Sequence, residues 1–327
     1  MHILILGAAG MVGRKLTERL VNDGHLAGRE IGKMTLVDVI EPSAPPAGMP
    51  VTCLARDISQ PDFAAPLIAE RPDVIFHLAA IVSGEAEENF DKGYAINMDG
   101  VRILLETIRA ESRRGPYRPR LVFTSSIAVF GAPFIEPIAD EFFCQPLTSY
   151  GTQKAIGELL LSDYTRKGFV DGIALRFPTI CVRPGKPNLA ASGFFSNIIR
   201  EPLVGVEAVL PVPDDVMHWH ASPRAAVGFL LHAAALDTET MGPRRALTLP
   251  GLAVTVAEQI AALRQVAGQK AVDLIRRLPD QRIGQMVAGW PRRFDPKRAL
   301  ALGFRADASF EEIIRIHIED ELGGRLA

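Results

Sequence analysis

Three glycines at three-residue spacing, Gly7-Ala-Ala-Gly10-Met-Val-Gly13, stand between the apolar run Ile3–Leu6 and a segment with helical apolar spacing, Met11–Val21. That position constrains the fold more than any other feature of the chain. Residues without a Cβ permit a tight strand-to-helix turn and a close approach of backbone to a diphosphate. The N-terminus of the helix favours the negative charge. A glycine pattern alone equally describes a plain strand–helix turn, so the residues that follow have to decide.

Asp38 decides in part. It ends a second apolar run, Met34–Val39, 25 residues after Gly13. A carboxylate there accepts both hydroxyls of an adenosine ribose and repels a 2′-phosphate, which favours NAD over NADP. Gly7, Gly10, Met11, Val12, Gly13 and Asp38 are therefore candidate cofactor residues. Asp57-Ile58 follows a third run, Val51–Leu54, and offers a carboxylate near an adenine amine with an apolar wall beneath it. An aspartate that starts a turn or caps a helix fits the same position as well. His77-Leu-Ala-Ala80 ends a fourth run, Val74–Leu78. The small residues suit a backbone that passes close to a cofactor, which adds Leu78, Ala79 and Ala80, while His77 reads as a packed strand residue.

Strand-like and helix-like segments alternate through the first half. Asp62–Glu70 has helical spacing, and Glu85–Glu111 is a long, largely helical stretch. Leu121–Thr124 is a strand, Ser149–Lys167 a helix and Gly172–Phe177 a strand. The rhythm predicts an α/β fold, a Rossmann-type doubly wound parallel sheet with helices on both faces. It breaks after Phe177, where prolines recur at 178, 184, 187, 202, 211, 213 and 223. Helices return at Pro223–Ala235, Val256–Val266 and Phe310–Leu322. The expected organisation is a nucleotide-binding domain over 1–177 and a smaller, mainly substrate-binding lobe over 178–327, parts of which can return to the first domain.

The chain of 327 residues has 48% hydrophobic content and a net charge of −2, so no broad basic surface is expected. That argues against nucleic acid or an anionic membrane as the main partner. Cys53, Cys144 and Cys181 lack paired spacing, against both a disulfide framework and a zinc site. The apolar start has no basic region before it, and no stretch reaches the roughly 18 apolar residues of a membrane span. These features read as a cytoplasmic protein.

Tyr150-Gly-Thr-Gln-Lys154 carries the chemistry. Residues i and i+4 of a helix share one face, about 6 Å apart along the axis. An ammonium one turn from a phenol favours the phenolate and lowers its pKa, and a phenol so tuned takes a proton from an alcohol near neutral pH. With a dinucleotide site and the hydroxyl pair Ser125-Ser126 upstream, the set describes alcohol oxidation with a nicotinamide cofactor.

These residues resemble the extended short-chain dehydrogenase/reductase family, the NAD-dependent epimerase/dehydratase group. The matching motifs are Gly7-x-x-Gly10-x-x-Gly13, Asp38, Asp57-Ile58, His77-Leu-Ala-Ala80, Asn97, Thr124-Ser-Ser126-x-x-Val-Phe-Gly131, Tyr150-x-x-x-Lys154 and Arg176. They occur in the family's order over most of the first 180 residues. The resemblance implies Tyr150 as general base. Lys154 would hold the nicotinamide ribose and tune Tyr150. Ser126 or its neighbour Ser125 would bond the reacting oxygen, and Asn97 would support the cofactor site from the long helix. It also implies a homodimer through Glu85–Glu111 and Ser149–Lys167, with Ile156, Leu159, Leu160 and Leu161 supplying apolar surface.

The substrate side departs from the sugar-nucleotide members. Met217 stands where many of them carry a diphosphate-binding arginine, and methionine cannot pair with a phosphate. Thr179, in Arg176-Phe-Pro-Thr-Ile-Cys-Val182, replaces their asparagine. What remains suits a small anionic sugar acid. Arg183 can clamp a carboxylate and Asn188 can read hydroxyls, with Lys186 beside them. His218, Trp219 and His220 are candidate pocket walls, and two histidines at i and i+2 without a third ligand predict no metal. Within the family, the chain resembles enzymes that oxidise the C2 hydroxyl of a four-carbon sugar acid. A sugar-nucleotide epimerase or dehydratase that recycles its NAD, and a non-catalytic NAD sensor, are the alternatives.

Overall fold

Runs of β-branched and aliphatic residues build the central strands. They are β1 (His2–Leu6), β2 (Lys33–Asp38), β3 (Val51–Ala55), β4 (Val74–His77), β5 (Arg120–Ser126), β6 (Asp171–Phe177) and β7 (Ala246–Thr248). The computed structural model describes residues 1–185 and 192–326. The seven strands form one sheet in the order β7-β6-β5-β4-β1-β2-β3, and β3, β2, β1, β4 and β5 pair in parallel. Ile3, Leu4, Ile5 and Leu6 are all buried. Strands covered on both faces read as continuous apolar runs rather than alternating ones. The chain leaves β1 toward β2 and β3, then returns to β4 on the other side. The strand order therefore reverses between β1 and β4, the place where doubly wound sheets bind ligands.

Two compact units are present. One contains Met1–Val129, Thr148–Arg176 and Val227–Leu247; the other contains Phe130–Leu147, Phe177–Ala226 and Thr248–Ala327.

In the first unit, α1 (Met11–Asp23) ends at Gly24, whose φ of 65° and N–H to the Leu20 carbonyl close the helix. α2 (Ala65–Ala69) is shorter than the Asp62–Glu70 segment read from spacing. Pro66 has no N–H to bond the Asp62 carbonyl, so the turn before it is not helical. The Glu85–Glu111 stretch is likewise divided, into α3 (Ser83–Glu88), α4 (Phe90–Tyr94), a π-helical turn (Ala95–Asp99) and α5 (Gly100–Ser112). Asn89 makes the break. Its backbone leaves the helical region, and its Oδ1 accepts the Lys92 N–H at 3.2 Å as a cap for α4. α6 (Ser149–Arg166) starts in the same way, with Thr148 Oγ1 accepting the Gly151 N–H at 3.1 Å. The core between α5, α6 and the sheet contains Leu6, Ile75, Leu104, Leu105, Phe123 and Leu161. On α6, Leu161 belongs to that core while Leu159 is 72% exposed.

The second unit packs the helices Gly193–Leu203, Val256–Ala267 and Phe310–Leu322 around Phe195, Ile199, Ile260, Leu263 and Ile314. Thr179–Ile180, Met217–Ala221 and Leu252–Thr255 form a small sheet of three strands. Thr255 and Glu258 cap the second of these helices reciprocally. Among the described residues, no helix is long and apolar enough to cross a membrane.

Candidate active site

The turn after β1 requires its glycines. Gly7 has φ +90°, and a Cβ there would lie 2.5 Å from the Ala79 nitrogen. A Cβ on Gly13 would lie 2.2 Å from the Gly7 carbonyl oxygen. Leu78 and Ala79 both donate their N–H groups to the Leu6 carbonyl, at 2.8 and 2.9 Å. The backbone after β4 is thereby held against the glycine turn. Gly10 is the N-cap of α1 and has no side chain to cap it. The first-turn N–H groups of Met11, Val12 and Gly13 are consequently left for an external acceptor, an arrangement suited to a phosphate. Asp38, at the end of β2, accepts the Ala9 N–H through Oδ2 at 2.9 Å and the Val39 N–H through Oδ1 at 2.7 Å. The Ala9 bond ties the glycine turn to the end of β2. These residues fit a dinucleotide: a tight turn whose backbone leaves no room for a Cβ at Gly7 or Gly13, an uncapped helix N-terminus and a carboxylate beside it.

Asp57 forms a turn of its own, with Oδ1 accepting the Ser59 N–H at 2.9 Å. Ile58 is 5% exposed and belongs to the core under α5.

Tyr150 and Lys154 lie one turn apart on α6, and the Lys154 ammonium is 5.7 Å from the Tyr150 ring centre. Lys154 is 1% exposed. Its Nζ donates to the Thr124 carbonyl at 2.8 Å and sits 4.9 Å from the Phe123 ring centre. Burial pushes its pKa down to about 7, and the Glu158 carboxylate acts in the opposite direction. His77, the neighbouring strand residue, is buried, and desolvation with help from Lys154 pushes its pKa down to about 3, so it is neutral.

The two serines at the end of β5 separate because adjacent strand residues point to opposite faces. Ser125 is buried, and its hydroxyl donates to Glu158 Oε1 at 2.5 Å. Ser126 Oγ accepts the Ala128 N–H at 3.1 Å, so its own hydroxyl proton is the one left to offer. Asn97, buried in the π-helical turn, accepts the Ile81 N–H at 3.0 Å and donates to Gln153 Oε1 at 2.8 Å. Spacing alone did not single out Gln153 or Glu158. Glu158 carries a readable signal, since it follows Lys154 by four residues on the same helix face. It is held by Arg176, whose Nη2 lies 2.7 Å from Oε2. Gln153 has no comparable signal, because its partner lies 56 residues away.

In the second unit, Thr179 Oγ1 and His218 Nε2 are 2.7 Å apart. His218 Nδ1 lies 3.1 Å from the Pro291 carbonyl, which can only accept. The ring is fully buried, and desolvation pushes its pKa down to about 4. A neutral ring that donates from Nδ1 must accept at Nε2, so Thr179 is the donor. Arg183 donates from Nε to the Ile180 carbonyl at 3.0 Å and from Nη2 to Ser192 Oγ at 2.9 Å. Trp219 is 7% exposed; its Nε1 donates to the Leu249 carbonyl at 3.1 Å and its ring packs on Phe294. Its indole is occupied with packing. His220 Nε2 pairs with the Gln259 amide at 3.0 Å. Asn188 and Lys186 lie outside the described residues.

The chain belongs to the NAD dependent epimerase/dehydratase family, whose family model matches residues 3–217. Within it, two curated relatives match over nearly the full length. A D-erythronate dehydrogenase of Cupriavidus necator is 47% identical, covering 98% of each chain. One of Haemophilus influenzae is 41% identical, covering 98% of this chain and 100% of the relative. A crystal structure from Agrobacterium tumefaciens, described as a nucleoside-diphosphate-sugar epimerase, is 66% identical with a TM-score of 0.97 over 100% of this chain and 96% of that one.

Proposed function

We propose that the protein is an NAD-dependent oxidoreductase that oxidises the C2 hydroxyl of D-erythronate to 2-dehydro-D-erythronate. The observation that carries the chemistry is the buried Lys154, anchored to the Thr124 carbonyl one helical turn from Tyr150. The substrate rests on the two full-length relatives named for it.

Gly7, Gly10, Met11, Val12 and Gly13 would hold the pyrophosphate of NAD, Asp38 the adenosine ribose, and Leu78–Ala80 the adjoining backbone wall. NAD supplies the two-electron acceptor when bound. Tyr150, as phenolate, removes the proton of the C2 hydroxyl, and the Lys154 ammonium stabilises that phenolate. Ser126 donates to the reacting oxygen and fixes its orientation. Ser125 is assigned to the Glu158 network instead, because its proton is already committed there. Thr179 and Arg183 are the groups assigned to the substrate's hydroxyl and carboxylate ends.

A second reading keeps the cofactor and changes the reaction. The 66%-identical structure described as a nucleoside-diphosphate-sugar epimerase favours it; Met217 in place of a phosphate-binding arginine opposes it. An epimerase restores its NAD in each cycle, so net NADH separates the two. Purified protein mixed with NAD and D-erythronate, L-threonate or D-threonate should yield NADH absorbance with D-erythronate and little with the threonates. Silence across the panel, with NAD bound, would favour the epimerase.

A further inference from the structure

One cluster in the first unit is not used by the reaction described above: Ser125, Glu158 and Arg176. Glu158 is 5% exposed, a position in which a carboxylate persists only if paired and hydrogen-bonded. The cluster meets both conditions. Arg176 Nε lies 3.0 Å from Oε1 and Nη2 lies 2.7 Å from Oε2, a two-pronged contact, and the Ser125 hydroxyl adds a third bond. Three elements therefore converge on one carboxylate: β5 through Ser125, β6 through Arg176 and α6 through Glu158 itself.

That carboxylate sits at i+4 from Lys154, as Lys154 sits at i+4 from Tyr150. The three share one helix face. The Lys154 ammonium contacts a carbonyl oxygen and an aromatic face. The groups about it are Tyr150 and Glu158 on α6, Phe123 and the Thr124 carbonyl on β5 and neutral His77 on β4, and Arg176 of β6 is paired with Glu158. Glu158 is the one anion in that set, and it opposes the effect of burial.

We infer that Glu158 is a positioning residue for Lys154: held in place by Arg176 and Ser125, its carboxylate keeps the buried lysine protonated and so keeps the Tyr150–Lys154 pair competent. The consequence for turnover rests on the roles proposed above for Tyr150 and Lys154. The charge relationship itself does not, and it is measured separately.

The test uses protein labelled with ¹³C at lysine side chains. The Lys154 Cε resonance is assigned by its loss in Lys154→Met and titrated with NMR in three proteins. In Glu158→Gln the titration midpoint should fall by at least one pH unit, because the anion is gone and the Arg176 cation remains. In Glu158→Gln/Arg176→Met the fall should be smaller, because the opposing cation has been removed too. The double variant also removes the unpaired buried guanidinium, so it is informative if the single variant folds poorly. A midpoint that is unchanged in both variants, or lower in the double than in the single, overturns the inference. In NADH assays the alkaline fall of kcat/KM should move to lower pH in the same order, whereas a merely structural role would reduce activity equally at every pH. If the wild type reduces no NAD with any sugar acid, the proposed reaction fails while the NMR titration still decides the role of Glu158.

Discussion

Asn97 and Gln153 meet at 2.8 Å in the interior of the first unit, the first from a π-helical turn and the second from the helix that carries Tyr150 and Lys154. Asn97 also holds the Ile81 backbone, which follows directly on Ala79-Ala80. Gly93 makes room for the pair, since a Cβ there would lie 2.6 Å from Gln153 Nε2. One carboxamide thus couples the segment after β4 to α6. Asn97→Ala leaves the buried Gln153 carbonyl and the Ile81 N–H without partners, at about 1–3 kcal/mol. Urea denaturation should show that loss, together with a lower kcat. A variant as stable as the wild type would remove Asn97 from this role.

Tyr150→Phe removes one oxygen and leaves the ring. Turnover should fall by about 10²–10⁴ if the phenol is the base, while NAD affinity measured by fluorescence or calorimetry stays within a few-fold. Retained turnover would sink the assignment.

Gly13→Ala and Gly10→Ala make an informative pair. A Cβ at position 13 meets the Gly7 carbonyl oxygen at 2.2 Å, so backbone must move; at position 10 its nearest contact is 3.4 Å, which is ordinary. Gly13→Ala should lose about 1–3 kcal/mol of stability and most of the rise in Tm on adding NAD. Gly10→Ala should keep its stability. Equal behaviour of the two in thermal melts would contradict the packing described here.

His77, His218 and His220 are all buried, and burial depresses each pKa, to about 3 for His77, about 4 for His218 and well below the ordinary value for His220. The unfolded chain binds protons below about pH 6.5 that the folded chain refuses. Their neutral burial is therefore fully tolerated above that pH, and stability falls as pH drops toward the folded values. Each histidine contributes a slope of about 1.4 kcal/mol per pH unit in that window. Urea midpoints between pH 6.5 and 5, above the carboxylate range, should decline accordingly, and His218→Gln should decline less steeply. A flat profile would mean that these rings are protonated in the folded protein.

The parts of the fold governed by short-range rules were readable in the chain. The glycine turn, the strand runs and the late helices at Pro223–Ala235 and Phe310–Leu322 all follow from local spacing. The helix limits were less so. A single proline at 66 and a single asparagine at 89 override apolar periodicity, because each changes where backbone hydrogen bonds can start. At the site, the i, i+4 placement of Tyr150 and Lys154 was visible in the spacing. The division between Ser125 and Ser126 was not, since it depends on which face of β5 meets Glu158. Nor were the partnerships of Thr179 with His218 and of Asn97 with Gln153. These pair residues 39 and 56 positions apart, and only the folded chain brings them together.

The bond from the Ala9 N–H to Asp38 has a consequence for anyone who re-engineers the chain to accept a phosphorylated coenzyme. On the proposed assignment of Asp38 to the adenosine ribose, the route is to trade it for a small or basic residue that admits a 2′-phosphate. That trade also removes the acceptor that pins the glycine loop, so a gain in tolerance for the new coenzyme would come with a slacker cradle for both. On that assignment, a redesign keeps a side-chain oxygen at the same reach, as asparagine would, and introduces the cation from a neighbouring position.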